Sequence, residues 1–316
     1  ASRRDSIKDF KRYGITSFDS ASYLRKAWLS SSSNYVALNE NKYAAIRVPQ
    51  VGGRGRKANR LIKQGFVIRE KLRWLEQTAL EALRKYDREE MSLEDTYEAV
   101  MDYEEKIQHL DGMRKMKKVL VKNQEVLNRI YMKLYNQFNL EELTRRGEKL
   151  EFSEIYQEIY EKLEWLNIII TDIYEKIKKT YKELDPKDNE ELYEKVEKSY
   201  KEVEKIYDLI NGSYNRIKKV YDDSRSIKNT ETKIGSKRSQ LLQKIKDLHD
   251  EVNNIVKKTE KKQKKAEKTV SKHAKKYKKV LEDQPWKKCD CSICNRIGVE
   301  TIIFRGNNRN RRRGFH

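Results

Sequence analysis

The chain has 316 residues, of which 38% are charged and 37% hydrophobic, with a mean hydropathy of −0.99. Such a composition buries the narrow core of long helices rather than a wide one. Only Pro49, Pro186 and Pro285 interrupt it, too few breaks for a β-sandwich or barrel with frequent turns, and no apolar run of about 18 residues marks a membrane span.

Charge is unevenly spread. The net +21 is concentrated at the ends: residues 1–58 carry +8, residues 286–316 carry +6, and residues 257–280 hold 12 lysines against 2 glutamates. Positive ends point to a polyanion, most simply a nucleic acid. The lysine run has two readings, polyanion docking or a solvated face.

In chain order, Ser6–Tyr13 reads as a short helix stopped by Gly14, Ile15–Phe18 as a strand ending at Asp19, and Ser22–Leu29 as a helical turn or two. Tyr43–Val48 is a β-like run closed by Pro49, and Gly52, Gly53 and Gly55 make a basic loop with Arg54, Arg56 and Lys57. From Asn59 the apolar spacing is helical, with Leu72, Leu75, Ala79, Leu80 and Leu83 on one side. Ser92 with Asp95 is a variant capping box opening a helix over 93–110. Asp111-Gly112 signals a turn, and a further helix runs over 113–138.

Residues 150–228 carry the strongest period. Phe152, Tyr156, Ile159, Leu163, Leu166, Ile170, Ile173 and Ile177 step by 4 and 3. After the break at Pro186, Tyr193, Val196, Tyr200, Val203, Tyr207, Ile210, Tyr214, Ile217 and Tyr221 do the same. This predicts a heptad seam in an antiparallel helical hairpin, with the tyrosines in the core. A last helix, with Leu241, Ile245, Leu248, Val252 and Ile255 as its stripe, continues through the lysine run to about 281.

Two clusters carry chemistry. Cys289, Cys291 and Cys294 fall within six positions of an otherwise cysteine-free chain, with His316 downstream. So tight a group is no disulfide framework. It points to a metal or redox site in a reducing, cytoplasmic compartment. Thiolates and imidazole are the preferred ligands of Zn²⁺, and four close a tetrahedral site. Glu300–Phe304 reads as a short strand, followed by Arg305, Arg309, Arg311, Arg312 and Arg313 among asparagines and glycines. Guanidinium groups there would grip phosphates. The second cluster is Phe18-Asp19-Ser20 with Arg25. A carboxylate after a strand is either a turn residue or, as in (β/α)₈ barrels, a catalytic one.

Taken together, the motifs resemble the tRNA-guanine transglycosylase family. Cys-x-Cys-x-x-Cys with a downstream histidine looks like its zinc site, and Phe18-Asp19-Ser20 with Arg25 is similar to the late barrel strand bearing its nucleophilic aspartate. Tyr43–Pro49 is similar to the segment that follows, and the tail Ile303–His316 resembles the branch that inserts 7-deazaguanine bases into DNA. The resemblance spans about 1–110 and 280–316, and the heptad arm looks like an insertion. It implies base exchange at an anomeric carbon in DNA or tRNA, with Asp19 as nucleophile, a 7-deazaguanine as incoming base and Zn²⁺ as cofactor. The expected fold is mainly α: a C-terminal remnant of a (β/α)₈ barrel (1–58), a helical region (59–140), a coiled-coil arm (141–281), and a zinc knuckle with an Arg-rich tail (282–316). The early barrel strands would come from a longer gene product or a partner chain, and a homo-oligomer is the other expected assembly. The alternative is a non-catalytic nucleic-acid-binding protein with a zinc knuckle and a coiled-coil spacer.

Overall fold

Helices dominate because apolar residues recur every three or four positions along most of the chain while charged residues fill the faces between them. The computed structural model describes residues 12–14, 34–37, 41–48, 56–137, 152–187, 189–225 and 237–304. The expectations for Ser6–Phe10, Ile15–Leu29 and the glycine loop at 52–55 lie outside those residues. Within them the helices are α1 (Arg56–Lys63), α2 (Arg69–Asp87), α3 (Leu93–Lys122), α4 (Gln124–Gln137), α5 (Phe152–Lys182), α6 (Glu190–Arg225), α7 (Lys237–Asp283) and α8 (Ser292–Ile297). The described strands are two residues each: β1 (Tyr35–Val36), β2 (Lys42–Tyr43), β3 (Ile46–Arg47) and β4 (Ile303–Phe304). No helix among these residues is long and apolar enough to cross a membrane.

The chain divides into two compact units interleaved in sequence. The first comprises Ala1–Asn59, Arg69–Ile107 and Thr269–His316. In it β1 pairs antiparallel with β2, and β3 pairs parallel with β4, setting Ile46 beside Ile303. The predicted run over 43–48 is therefore split, with Ala44 and Ala45 turning the chain from one sheet to the other. Ala45 N donates to Asn34 Oδ1 at 2.7 Å, and Arg47 N donates to the Tyr277 hydroxyl at 3.2 Å. In this unit Ile46, Leu72, Leu83, Tyr277 and Ile302 are buried. The expected strand over 300–304 is mostly a 3₁₀ turn, Gly298–Ile302, shaped by the Thr301 hydroxyl donating to Gly298 O at 2.9 Å. One buried polar pair crosses this core: His273 Nδ1 lies 2.6 Å from Glu104 Oε1.

The second unit comprises Arg60–Ile68 and Gln108–Lys268. The expected turn at Asp111-Gly112 is absent, and α3 runs through it to Lys122. Asp111 is buried, yet it holds Arg114 at 2.8 Å and Lys115 at 2.5 Å one turn on, so its charge is met inside the helix. Gly112 is kept small by Ala266, whose Cβ would lie 3.2 Å from an added Cβ. The helix breaks instead at Asn123, whose side-chain amide donates to Val119 O at 2.6 Å. The capping arrangement at Ser92 is present: Asp95 N donates to Ser92 Oγ at 3.0 Å.

The two longest apolar stripes meet in α5 and α6, which run antiparallel, since Tyr160 stacks on Tyr214, Tyr174 on Tyr207 and Tyr181 on Tyr200. Asp185 and Asn189 shape the turn at Pro186: Lys187 N donates to Asp185 Oδ1 at 2.8 Å, and Leu192 N to Asn189 Oδ1 at 2.9 Å. On α5 the buried seam is the predicted one, Ile159 through Ile177. On α6 it is Val196, Ser199, Val203, Ile206, Ile210, Ser213 and the predicted Tyr214, while Tyr193, Tyr200 and Tyr207 are half-buried at the rim rather than in the centre. There each ring packs while its hydroxyl reaches a partner: Tyr181 bonds Tyr193 at 2.7 Å, Tyr174 bonds Tyr200 at 3.2 Å, and Tyr200 donates to Glu204 at 2.6 Å. The same unit buries Lys117. Its ammonium donates to Ser199 Oγ at 2.6 Å and pairs with Glu202 at 2.9 Å, while Ser199 Oγ donates to Gln64 O at 2.9 Å. Burial depresses the Lys117 ammonium, and the Glu202 carboxylate opposes that shift.

Ile173→Ala is expected to cost about 2–5 kcal/mol in urea unfolding followed by circular dichroism, because it opens a cavity in the seam. Tyr174→Phe keeps the stacked ring and removes one hydroxyl, so its cost should be about 1 kcal/mol. Equal losses in the two variants would mean that the rim hydroxyls, not the seam, hold the hairpin.

Candidate metal centre

Between the end of α7 and β4 the chain forms a knuckle whose first turn is dictated by its cysteines. Cys291 is the N-cap of α8, with extended backbone (φ −73°, ψ 152°), and its Sγ accepts from Cys294 N at 3.3 Å. The one- and two-residue spacing then turns all three thiols to one side. Their sulfur atoms lie within 4.8 Å of one another, the cysteines are free rather than disulfide-bonded, and Cys289 and Cys294 are buried. Among the described residues this is the group of three or more metal-capable side chains that could share an ion.

The thiols are not equivalent. Burial opposes ionisation of Cys291, but hydrogen bonds from the Cys294 and Ile293 amides and from Cys289 outweigh it and hold that thiol below its ordinary range. Burial pushes Cys294 up to about 12, with the neighbouring Cys289 and Cys291 adding to the shift and Tyr35 opposing it. The Tyr35 hydroxyl sits 3.6 Å from Cys294 Sγ, and burial, then the thiols, raises its own pKa. Three soft sulfur donors at this separation suit a thiophilic ion, whose charge would replace the protons that crowd the cluster.

What holds the knuckle in place is the C-terminal end of α2. Asp87 accepts from Trp286 Nε1 at 2.5 Å through one carboxylate oxygen and from Val299 N at 3.0 Å through the other. Gly298, which caps α8 and begins the 3₁₀ turn, makes this approach geometrically feasible: its φ is +50°, and a Cβ there would lie 2.2 Å from Asp87 Oδ2. Arg84 grips Glu300 with Nε and Nη2 at 2.9 and 2.8 Å, Lys287 pairs with Glu89 at 2.8 Å, and the Tyr86 hydroxyl donates to Leu281 O at 3.0 Å. None of these clamp residues is apparent from sequence spacing. The nearest signal is the tryptophan just before the cysteines.

Of the sequence-predicted site residues, the structure brings together Cys289, Cys291 and Cys294. Arg56 opens α1, and its side chain lies outside the described residues, as do Asp19, Arg25, Arg54, Arg305, Arg309, Arg311, Arg312, Arg313 and His316 in full.

No protein-family model matches the chain. Over 102 residues, 32% of its length, the chain is 40% identical to a DNA-guanine transglycosylase of Salmonella montevideo. That stretch is 24% of the relative, so the chain spans about a quarter of the protein it matches. The likeness supports kinship with transglycosylases at the level of the family.

Gly298→Ala should disorder the knuckle without touching a thiol, because the added methyl drives Asp87 off Val299 N. Amide hydrogen exchange at Val299 is expected to accelerate at least tenfold, and Asp87→Ala should do the same. Thr78→Ala, at an exposed hydroxyl that bonds only its own helix, should leave it unchanged.

Proposed function

We propose that this chain is part of a base-exchange transglycosylase that replaces guanine by a 7-deazaguanine in DNA. The observation that carries this reading is the 40% identity over 102 residues to a DNA-guanine transglycosylase. The thiol cluster in the knuckle agrees with it. A tRNA substrate is the other polymer such chemistry serves, and the likeness to a DNA-guanine transglycosylase favours DNA. The barrel to which segment 1–58 would contribute, and the coiled-coil character of the long hairpin, belong to this proposal.

In this reading Asp19 is the nucleophile. Its carboxylate attacks the anomeric carbon of the target nucleotide, and the bond to N9 of guanine breaks, the departing base leaving with the electron pair and taking up a proton. The N9 of the incoming 7-deazaguanine, losing its proton, then displaces the aspartate. Two displacements retain configuration and split one hard substitution into two easier ones. A base inside a duplex must first leave the stack. Arg25, Arg54, Arg56 and the tail arginines Arg305, Arg309, Arg311, Arg312 and Arg313 would grip the phosphates around it. Cys289, Cys291 and Cys294, with His316 as fourth ligand, would hold Zn²⁺, whose contribution is to tie the tail to the knuckle.

The purified chain is expected to carry one zinc. Chelation should render residues after about 285 protease-sensitive and leave the helical signal of the long hairpin intact, since that hairpin has its own buried seam. Full protease resistance of the tail after complete zinc removal would count against a structural metal.

Asp19 is tested in the enzyme completed by its missing segments through co-expression or fusion. With DNA and no incoming base, a covalent protein–DNA adduct should be trapped on a denaturing gel. Asp19→Asn should abolish both the adduct and labelled-base exchange while leaving DNA affinity within about twofold. Normal exchange by the Asp19→Asn enzyme would remove Asp19 from the mechanism.

A further inference from the structure

The helix α7 carries a feature that neither the knuckle nor the base-exchange reading uses. From Lys257 its exposed lysines step by 4, 3, 4, 4, 3 and 4 residues to Lys279. That spacing holds them on one line, within roughly 40° of a common direction, over a length of about 33 Å. The opposite side of the helix is the buried one, with Val252, Ile255, Thr259, His273, Tyr277 and Val280. No acidic residue falls on the line between Lys257 and Lys279. Glu260 and Glu267 sit about a quarter-turn round the helix, where Glu260 holds Lys264 at 3.2 Å and Glu267 accepts from Gln263.

Apart from that one pair, the row differs from the hairpin, whose basic and acidic residues are nearly balanced in number. On α5 and α6, Lys162, Lys195 and Lys201 each pair with a glutamate four residues earlier, Glu158, Glu191 and Glu197. Those pairs supply solubility and stabilise the helix together. On α7, residues 257–280 hold 12 lysines and 2 glutamates, so like charges stand at i and i+4 along the row. That repulsion opposes helix formation, and solubility does not require it. Positive crowding is registered at Lys276, whose ammonium is depressed by burial and then by Lys272 and Arg47.

We infer that this lysine row is a docking surface for the phosphate backbone of a nucleic-acid duplex, read without regard to sequence. The row is about as long as one turn of B-DNA, ~34 Å. Lysine ammonium groups are point charges that meet phosphates without the fixed geometry of base recognition. An anionic membrane surface is the competing partner, but a helix lying in a membrane interface inserts an apolar face. The apolar face of α7 is already buried against its own chain. The inference rests on the charge of α7 alone and stands whether or not the completed enzyme exchanges bases.

The test measures binding of the full zinc-loaded chain to a fluorescent duplex of about 30 base pairs without deazaguanine, by anisotropy across a salt series. A variant with Lys261→Gln, Lys268→Gln, Lys272→Gln and Lys275→Gln should bind at least tenfold more weakly near 0.1 M salt. Its slope of log affinity against log salt should be shallower by about 3.6, or 0.9 per lost phosphate contact. Lysine-to-arginine changes at the same four positions should retain the slope, which separates loss of charge from loss of fold. Lys195→Gln with Lys201→Gln on the hairpin should change nothing. Arg311→Gln with Arg313→Gln reports on the tail separately, and its effect should add to that of the row. An unchanged slope in a quadruple glutamine variant of normal helicity overturns the inference. So does binding to phosphatidylserine vesicles that exceeds binding to the duplex and depends on the same four lysines.

Discussion

The two oxygens of Asp87 are each engaged by a different part of the C-terminal knuckle, the indole of Trp286 before the cysteines and the amide of Val299 after them. A carboxylate shared in this way fixes the entry and exit of the thiol-bearing segment against one helix end. The arrangement works only because Gly298 presents no side chain and turns with a positive φ. Loss of the carboxylate would leave a buried indole N–H and a backbone N–H without their acceptor, a cost of about 1–3 kcal/mol each. The surrounding ion pairs, Arg84 with Glu300 and Lys287 with Glu89, are more exposed and contribute direction more than energy. The thiol geometry is therefore inherited from a helix end that carries no metal-binding residue of its own.

The hairpin of α5 and α6 solves a different problem, how to hold two long, highly charged helices together with a narrow seam. Its centre is mostly aliphatic, and the tyrosines, Tyr174 and Tyr214 buried and Tyr193, Tyr200 and Tyr207 half-buried, widen the contact. Rings such as Tyr174 and Tyr207, with centroids 4.4 Å apart and nearly parallel planes, bury apolar area while their hydroxyls stay within reach of one another or of a glutamate. The hydrogen bond to Tyr193, then burial, pushes the Tyr181 hydroxyl up to about 12, so that rung stays neutral throughout the physiological range.

Much of this was legible in the sequence, and the misses have physical causes. The seam of α5 is an unbroken apolar period, so spacing alone identified it. On α6 the tyrosines and the valines obey the same 3–4 steps, and the true seam includes Ser199 and Ser213, whose polarity hides it. Periodicity locates a stripe but does not say which of two adjacent stripes faces the partner. Asp111-Gly112 imitates a turn, but Arg114 and Lys115 satisfy the acid within the helix, and the glycine answers to Ala266, far away in sequence. The thiol cluster was visible because its ligands are neighbours in sequence. The clamp was not, because Asp87 and Val299 are 212 residues apart and nothing local marks either one.

That separation has a consequence for biosynthesis. The end of α2 leaves the ribosome with its carboxylate, its arginine and its tyrosine still lacking their partners, and 212 residues must follow before Val299 is made. At 5–20 residues per second this is an interval of about 10 to 40 s. The α5–α6 hairpin, whose contacts are local, is complete well within that time, so the nascent chain carries a finished hairpin while its first unit still waits for β4. Ile46 waits longer still for Ile303, its neighbour in the parallel pair. A chain released or cut after the hairpin's end at Arg225 but before Val299 would keep the hairpin and lose the knuckle. Chaperones that shield apolar surface would then meet α2 and β3 rather than the hairpin.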